Sequence, residues 1–586
     1  MSYRDHTPMR CCARFLVATA AILVTLSCGS ESTPPPTPAS LAFSSDAMSL
    51  VADDSLATGA TLTMSDGSTR GTSSLVLYSS SEPGVATVSS KGVVTGLTAG
   101  VATITAQVGP LHDELVVTVT WPPITTITFG RDTATLLLDD SLSTTAAVTN
   151  SHAKPAPNAV VTYSTSAPSV ATVDPGGRIR TFATGAATIT ATVENLHTEV
   201  NVAVVPHFTQ FAPGAEHVCG IAGTGFTYCW GADINGSLGA GWTTPDCPQI
   251  GGHCSPVPVR VTGGQRFVAI TAGEFHTCAL TSGGTAYCWG GNYFGQVGTG
   301  TLGGEVTVPT PVTGGLTFAS IRAGRMHTCG IVTSGDTYCW GWDNQAQLGA
   351  GATAAGRCTF FGSNEPCSGT PLKVAGNLRF VEVNASDRNS CGRDPAGAIY
   401  CWGFAIGGTD PTDCQGSDPA CTRTPLLQVG GATFPKFGMG NVYRCGQKAD
   451  GVISCWGADN YGGFGNGGTV SSDTLIRAAG GKSYAQAAFG RLHVCGLNSG
   501  SVECWGSGYY GQVGGARGID RSIPGTVSGG VTFASITSGP NSDLNCGIST
   551  AGRAYCWGNG ELGQLGNGTL GTLASSAEPV LVKLVR

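Results

Sequence analysis

Between residues 41 and 206, apolar and polar residues alternate in short runs such as VATV and ATITA, separated by Gly and Pro. Alternation at period two predicts half-buried strands, and the Gly/Pro punctuation predicts tight turns between them. The pattern occurs twice. YSSSEPGVATVSSKGVVTGLTAGVATITA begins at Tyr78, and YSTSAPSVATVDPGGRIRTFATGAATITA begins at Tyr163. The two copies align without a net gap, so two small antiparallel sandwiches are expected. A different apolar pattern stands ahead of them. FLVATAAILVTL (15–26) is an unbroken run of 12 residues, too short to span a bilayer comfortably, and Arg4, Arg10 and Arg14 precede it.

From about residue 207 a longer unit takes over. Cys-Trp-Gly recurs at Cys229, Cys288, Cys339, Cys401, Cys455, Cys504 and Cys556, at intervals of 49 to 62 residues. Each has an upstream partner, at Cys219, Cys278, Cys329, Cys391, Cys445, Cys495 and Cys546. The spacing is ten in six copies and nine in one. A period near 50 with aromatic-glycine punctuation predicts propeller blades rather than a helical solenoid. If Cys278 faces Cys288 across a hairpin, Leu280 faces Ala286, Thr281 faces Thr285, and Ser282, Gly283 and Gly284 form the loop. In the shorter copy, Cys495 opposite Cys504 leaves the two-residue loop Ser499-Gly500. Both loop lengths are common in hairpins. Opposed residues lie within disulfide range. Cys-x9-Cys lacks the close chelate of zinc sites, so disulfides are favoured over metal ligation.

The cysteine count supports this. Cys247 with Cys254, Cys358 with Cys367, and Cys414 with Cys421 make three further close pairs. The 23 cysteines divide into ten pairs plus Cys11, Cys12 and Cys28. No cysteine is left over beyond the N-terminal region, as expected for an oxidising compartment. Each short closed loop is worth ~3 kcal/mol by the chain-entropy estimate.

Composition narrows the function. Charged residues make up 11% of the 586, the net charge is −7, and Gly numbers 88. The thirty Lys and Arg form no stripe, which disfavours a nucleic-acid partner. No nucleophile–base pair or metal cluster shows at a readable spacing, so no enzyme and no cofactor are expected.

Three resemblances follow from these residues. The N-terminal run ending Ser27-Cys28 resembles a bacterial lipoprotein signal, which implies lipidation of Cys28. Thr25 stands where such signals usually carry Leu. The S-x-x-P-x-V-A-T-V … A-T-I-T-A copies resemble the bacterial Ig-like group 2 family, found in adhesins and as spacers. The long unit, A-G-x-x-H-T-C-A-L … Y-C-W-G-x-N-x-x-G-Q-V-G-x-G, resembles the RCC1 repeat (regulator of chromosome condensation). That resemblance covers nearly two thirds of the chain and implies a seven-bladed β-propeller. Its fourth copy departs most, with ASDRNSCG and GFAIGGTDP in place of the usual motifs.

The expected order is a signal (1–28), a Pro/Ser linker (29–40), Ig-like domains (41–121 and 122–206) and the propeller (207–586). All of it is β structure. On this reading the first copy lacks the extended run that precedes the core hairpin in most copies (PVPVRV at 256–261, TPLLQV at 424–429), while EPVLVKLV (578–585) follows the last. Pairing of the two ends would close the ring. His217, His276, His327 and His493 share one repeat position and are expected to hold their blades. The stretches 241–257, 356–370 and 408–424 carry the extra cysteine pairs at one repeat position, so they should emerge on one face as preformed loops. Trp242, Phe360 and Phe361 would anchor a ligand there. Asp410, Asp413 and Asp418 are weak calcium candidates.

The resulting expectation is an exported, lipid-anchored monomer at a bacterial outer membrane or cell surface, or a secreted one, whose propeller binds a protein or glycan. The alternatives are a secreted enzyme inhibitor, resembling the RCC1-like β-lactamase-inhibitory protein II, and a polysaccharide-acting enzyme. The nuclear guanine-nucleotide exchange of the founding RCC1 protein is not expected of an exported, oxidised, acidic chain.

Overall fold

The computed structural model describes residues 34–583, apart from 71–74, 139, 242–243, 248–251, 361 and 405–420. The chain divides into two compact units. One runs to residue 125 and includes 149–156; the other takes 126–148 and everything from 157. In the first unit, Leu111–Thr120 is central, paired antiparallel with Gly100–Val108 and parallel with Ala47–Val51. Leu62, Val94, Ile104 and Val117 close the core, each from an alternating run whose polar positions face outward. Lys154 Nζ reaches Asp53 Oδ2 at 3.0 Å, which ties the 149–156 segment into this unit.

In the second unit the duplicate sandwich is built alike. Leu196–Val205 pairs antiparallel with Gly185–Val193 and parallel with Thr133–Leu137. The repeated tyrosines serve one purpose in both copies. Tyr78 Oη accepts a bond from the Ala60 amide (2.9 Å), and Tyr163 Oη accepts one from Ala146 (3.1 Å).

Residues 208–581 then form seven successive antiparallel sheets. The second is representative: inner strand Ala269–Ala272, hairpin strands His276–Leu280 and Ala286–Gly291, outer strand Glu305–Pro311. The cysteines of all seven hairpins are directly opposed in register and bridged, with Cα–Cα distances of 4.0–4.1 Å. This short separation is that of the non-hydrogen-bonded antiparallel pair. The ladder slips by bulging after the third-strand cysteine in every sheet. The Gly of Cys-Trp-Gly sits there with φ between 100° and 111°, a region closed to other residues.

Inner strands touch their neighbours all the way round, the seventh touching the first. The ring is therefore closed, but not by pairing of the chain ends. The first sheet has its own inner strand, Phe208–Pro213. Gly252–Arg260 and Ser576–Leu581 are outer strands of their own preceding hairpins. The expected exchange failed because the extended run was assigned to the wrong side of its hairpin: it follows the Cys-Trp-Gly strand rather than leading into the next one.

Closure instead uses the junction found between other sheets. The turn after the third strand presents a carbonyl to the next sheet's tryptophan. Trp289 Nε1 donates to Ser237 O (3.0 Å), Trp340 to Gln296 O (3.0 Å) and Trp402 to Gln347 O (2.9 Å). Trp505 and Trp557 do the same with Gly463 O and Gln512 O. Across the ends of the ring, Trp230 donates to Gln564 O at 2.7 Å. The turn must be glycine-rich because the indole lies on it. A Cβ at Gly298 (φ +75°) would fall 2.6 Å from Trp340 Nε1.

Four junctions carry a second link. Thr277 Oγ1 donates to the same Ser237 carbonyl (3.1 Å) and lies 2.7 Å from His217 Nε2. His276–Thr328–Gln296 and His327–Ser390–Gln347 repeat this. His493 Nε2 meets Asn545 Oδ1 (2.9 Å), while Asn545 Nδ2 donates to Gln512 O. An amide oxygen only accepts, and each hydroxyl proton is already committed. Every one of these histidines therefore donates from Nε2, and Nδ1 has no hydrogen-bond partner among the described residues. Partner types change together. Where Leu544 or Tyr443 replaces the histidine, the next sheet carries Val218 or Val494.

Two outcomes follow. Trp230→Phe leaves the Gln564 carbonyl without its indole and should cost about 1–3 kcal/mol, the same as Trp289→Phe; a much smaller loss at Trp230 in thermal melts would mean the ends of the ring are not joined this way. Burial pushes the histidines down, to about 3 for His276 and His327 and about 4 for His217 and His493. Below their ordinary value near 6.5 the unfolded chain takes up protons that the folded chain refuses, so stability falls as pH drops from about 6.5 toward 4. His276→Gln keeps the donor without the titration and should show a shallower fall in melting temperature over that range.

Candidate binding face

Each inner strand ends in a short loop leading to the hairpin, and the hairpin's second strand ends beside that loop. In the second sheet Ala272 pairs with Thr277, and His276 with Gly290. The first loop of every sheet and the turn before its outer strand thus share one face of the ring. The hairpin turns occupy the opposite face.

The two described insertions open on the first of these faces, and neither is a loose loop. Asp246–Cys247 pairs with Gly252–Arg260, and Gly356–Phe360 pairs with Ser363–Lys373, so each adds a fifth strand to its sheet. Pairing satisfies backbone groups that a projecting loop would leave to water. Cys247–Cys254 and Cys358–Cys367 are bridged, with Cα–Cα distances of 5.7 and 6.0 Å. Cys421 is disulfide-bonded; its expected partner Cys414 lies outside the described residues. So do Trp242, Phe361, Asp410, Asp413, Asp418 and Cys28. Phe360 pairs with Ser363 at the tip of its hairpin.

A feature missed in the sequence lies at the centre of this face. Ala215, Glu274, Arg325, Asp387, Asn441, Arg491 and Asn541, one from each sheet, line a cavity of about 120 Å3 at the axis. All come from the loop that follows the inner strand. Arg325 bonds Glu274 through its Nε and reaches Asp387 at 3.3 Å. Both carboxylates hold its guanidinium firmly charged. Arg491 lies 3.3 Å from Asp543. Glu216 is pushed up to about 7, first by burial and then by the Glu274 charge. Below this ring, the inner strands enclose an axial cavity of about 320 Å3 whose lining includes Gln210, Arg322, Glu382, Asn384, Lys436 and Gln486. The sequence signal was present. The repeat position two before the histidine, or three before Leu544 in the longer seventh loop, changes charge from copy to copy while its surroundings repeat.

The second sandwich attaches at the other face. Its last strand, Leu196–Val205, runs almost directly into Phe208–Pro213. Arg553, beside the hairpin turn of the seventh sheet, donates from Nη2 to Thr135 O at 3.3 Å.

Comparison with known proteins agrees with this architecture. RCC1 (regulator of chromosome condensation) repeat profiles match residues 224–280, 283–331 and 551–586, and also 267–296. Bacterial Ig-like profiles match 75–121 and, for group 2, 123–204. The chain carries RCC1 repeats and two bacterial Ig-like domains. It is similar to the ultraviolet-B receptor UVR8 of Arabidopsis thaliana, 26% identical over 198 residues, which are 34% of this chain and 41% of the receptor. It is also similar to protein pim1 of Schizosaccharomyces pombe, 27% identical over 210 residues, 34% of this chain and 38% of pim1. The matches thus span less than half the length of either relative. Among solved structures, yeast RCC1 (Prp20) bound to Kap60 is 18% identical with a TM-score of 0.49, covering 65% of this chain and 88% of that one. Human WBSCR16 is 16% identical with a TM-score of 0.47, covering 59% and 88%.

Proposed function

We propose that this chain is an exported binding protein. Its RCC1-repeat ring presents the face carrying the bridged insertions and the polar axial ring to a macromolecular partner, a protein or a glycan. Every described cysteine is disulfide-bonded, which supports an oxidising compartment. The N-terminal sequence supports lipidation at Cys28 and a place at a bacterial surface, with the Ig-like domains as spacers and the chain acting as a monomer.

One observation carries the reading. The stapled hairpins and the axial ring share a face, and the second sandwich joins the ring at the other. A tether on one side leaves the varied side free to meet a partner. Strands braced by disulfides lose little conformational entropy on binding, which favours affinity. The chemistry of the ring, with paired charges of both signs and amide side chains, suits polar recognition rather than a nucleic-acid backbone.

A photo-crosslinking amino acid placed at Thr359 in the exported full chain should capture the partner, and one at Ser334 on the opposite face should not. Adducts from Ser334 alone, or equal capture from both, would reverse the assignment of the face. Cys28→Ala should abolish metabolic labelling with a fatty acid; retained labelling would remove the anchor from the proposal.

A further inference from the structure

Three polar side chains on the inner strands have a plain structural task. Each binds the backbone edge of a neighbouring inner strand, which that strand's own sheet leaves unpaired. Thr271 Oγ1, in the second sheet, accepts from the Ala323 amide of the third at 2.9 Å. Asn384 Nδ2, in the fourth, donates to Phe437 O of the fifth at 3.3 Å. Gln486, in the sixth, holds both groups of Ile536 in the seventh. Its Nε2 donates to the carbonyl (2.8 Å) and its Oε1 accepts from the amide (3.1 Å).

Arg322 and Lys436 occupy the same places on the intervening inner strands, Phe318–Ala323 of the third sheet and Lys436–Met439 of the fifth. Arg322 stands opposite Cys329 as Thr271 stands opposite Cys278 and Asn384 opposite Cys391. Lys436 faces Gln447, two residues past Cys445, as Gln486 faces Leu497, two past Cys495. Neither cation does the structural task. Arg322 is half-buried, and its side chain makes one bond, from Nη1 to the carbonyl of its own neighbour Ile321 at 3.1 Å. Lys436, at the end of its strand nearer the hairpin turn, is exposed to solvent. Among the described residues neither is paired with a carboxylate.

Both line the axial cavity of about 320 Å3, in which Glu382 is the one carboxylate among the lining residues. Glu382 is already held by Arg393 Nε at 3.0 Å. Burial lowers the Arg322 pKa, and the Glu382 charge offsets only part of this. Two positive charges are thus left over inside a wall that is otherwise neutral, in a chain whose net charge is −7. Enclosed surplus charge of one sign concentrates ions of the other. An arginine fork grips two oxygens of one group, and a lysine adds a point charge beside it. Two cations match a dianion, and the volume is that of a small-ligand pocket rather than of a bare ion.

We infer that the axial cavity is a binding site for a phosphate dianion, with Arg322 and Lys436 as its two anchors. The phosphate is either free or the monoester of a small molecule, since both carry the same group. This goes beyond the proposed function and does not rest on it, because it concerns a small ligand inside the ring rather than a partner on its face.

The probes are inorganic phosphate and L-glycerol 3-phosphate. Each is titrated into the full chain against sodium chloride at equal ionic strength, above the second phosphate pKa of about 6. Melting temperature is the readout, and it should rise with either probe as mass action requires. In Arg322→Gln and in Lys436→Gln the apparent affinity should fall by about tenfold or more, the loss of a charge-assisted bond. Lys91→Gln, at an exposed position of the first sandwich, should bind as wild type does. If Arg322→Gln does not fold, the exposed Lys436 carries the test. Tighter binding of the ester supports the site with a monoester as its occupant; equal or tighter binding of inorganic phosphate supports the site with the free ion. Wild-type affinity in either cavity variant, an equal loss in Lys91→Gln, or no saturable stabilisation of the wild type by either probe overturns the inference.

Discussion

The ring depends on one hydrogen bond repeated between sheets: an indole N–H donating to a backbone carbonyl in the preceding sheet's turn. A four-stranded sheet of short strands cannot hide both of its faces alone. Each must pack on its neighbours, and packing by itself leaves the lateral register loose. The bond fixes that register, because it needs a tryptophan of fixed reach and a turn thin enough to admit the ring. Gly298 against Trp340 shows how little space is left. The disulfide across each hairpin secures the same unit from within, since it holds the strand that carries the tryptophan. A fold with 11% charged residues has few ion pairs to draw on, and covalent bracing suits it.

The histidine link shows how a buried polar network stays satisfied. The carbonyl accepts twice, from indole and from hydroxyl or amide, and the histidine completes the chain from the preceding sheet. Where the histidine is lost its partner becomes valine, as Leu544 with Val218 and Tyr443 with Val494. Apolar pairs or complete polar sets are both tolerable in a core, and half-filled sets are not.

The two faces of the ring differ for a topological reason. One collects the loops between inner strand and hairpin, where the axial residues vary in charge, and the turns into which insertions fall. The other collects the tight hairpin turns and the attachment of the second sandwich. Charge varies in the loops between inner strand and hairpin because the carbonyls that hold the tryptophans lie in the turns after the third strand instead. The two described insertions are themselves ordered as added strands, which stiffens the surface they form.

Much of this was legible in the chain. Alternation and the doubled VATV/ATITA pattern determined the sandwiches. The Cys spacing determined the hairpins, down to the pairing of Leu280 with Ala286, because register along a strand is a local matter of period two. What the sequence could not settle was which hairpin each extended run joins, since a run between two hairpins is adjacent to both. Only the folded ring decided that the run closes the sheet before it, and that the ends meet through Trp230 and Gln564. The axial ring of Glu274, Arg325, Asp387 and their counterparts was likewise invisible as a group. Its members lie some fifty residues apart in the chain, and the sevenfold turn of the fold alone brings them together.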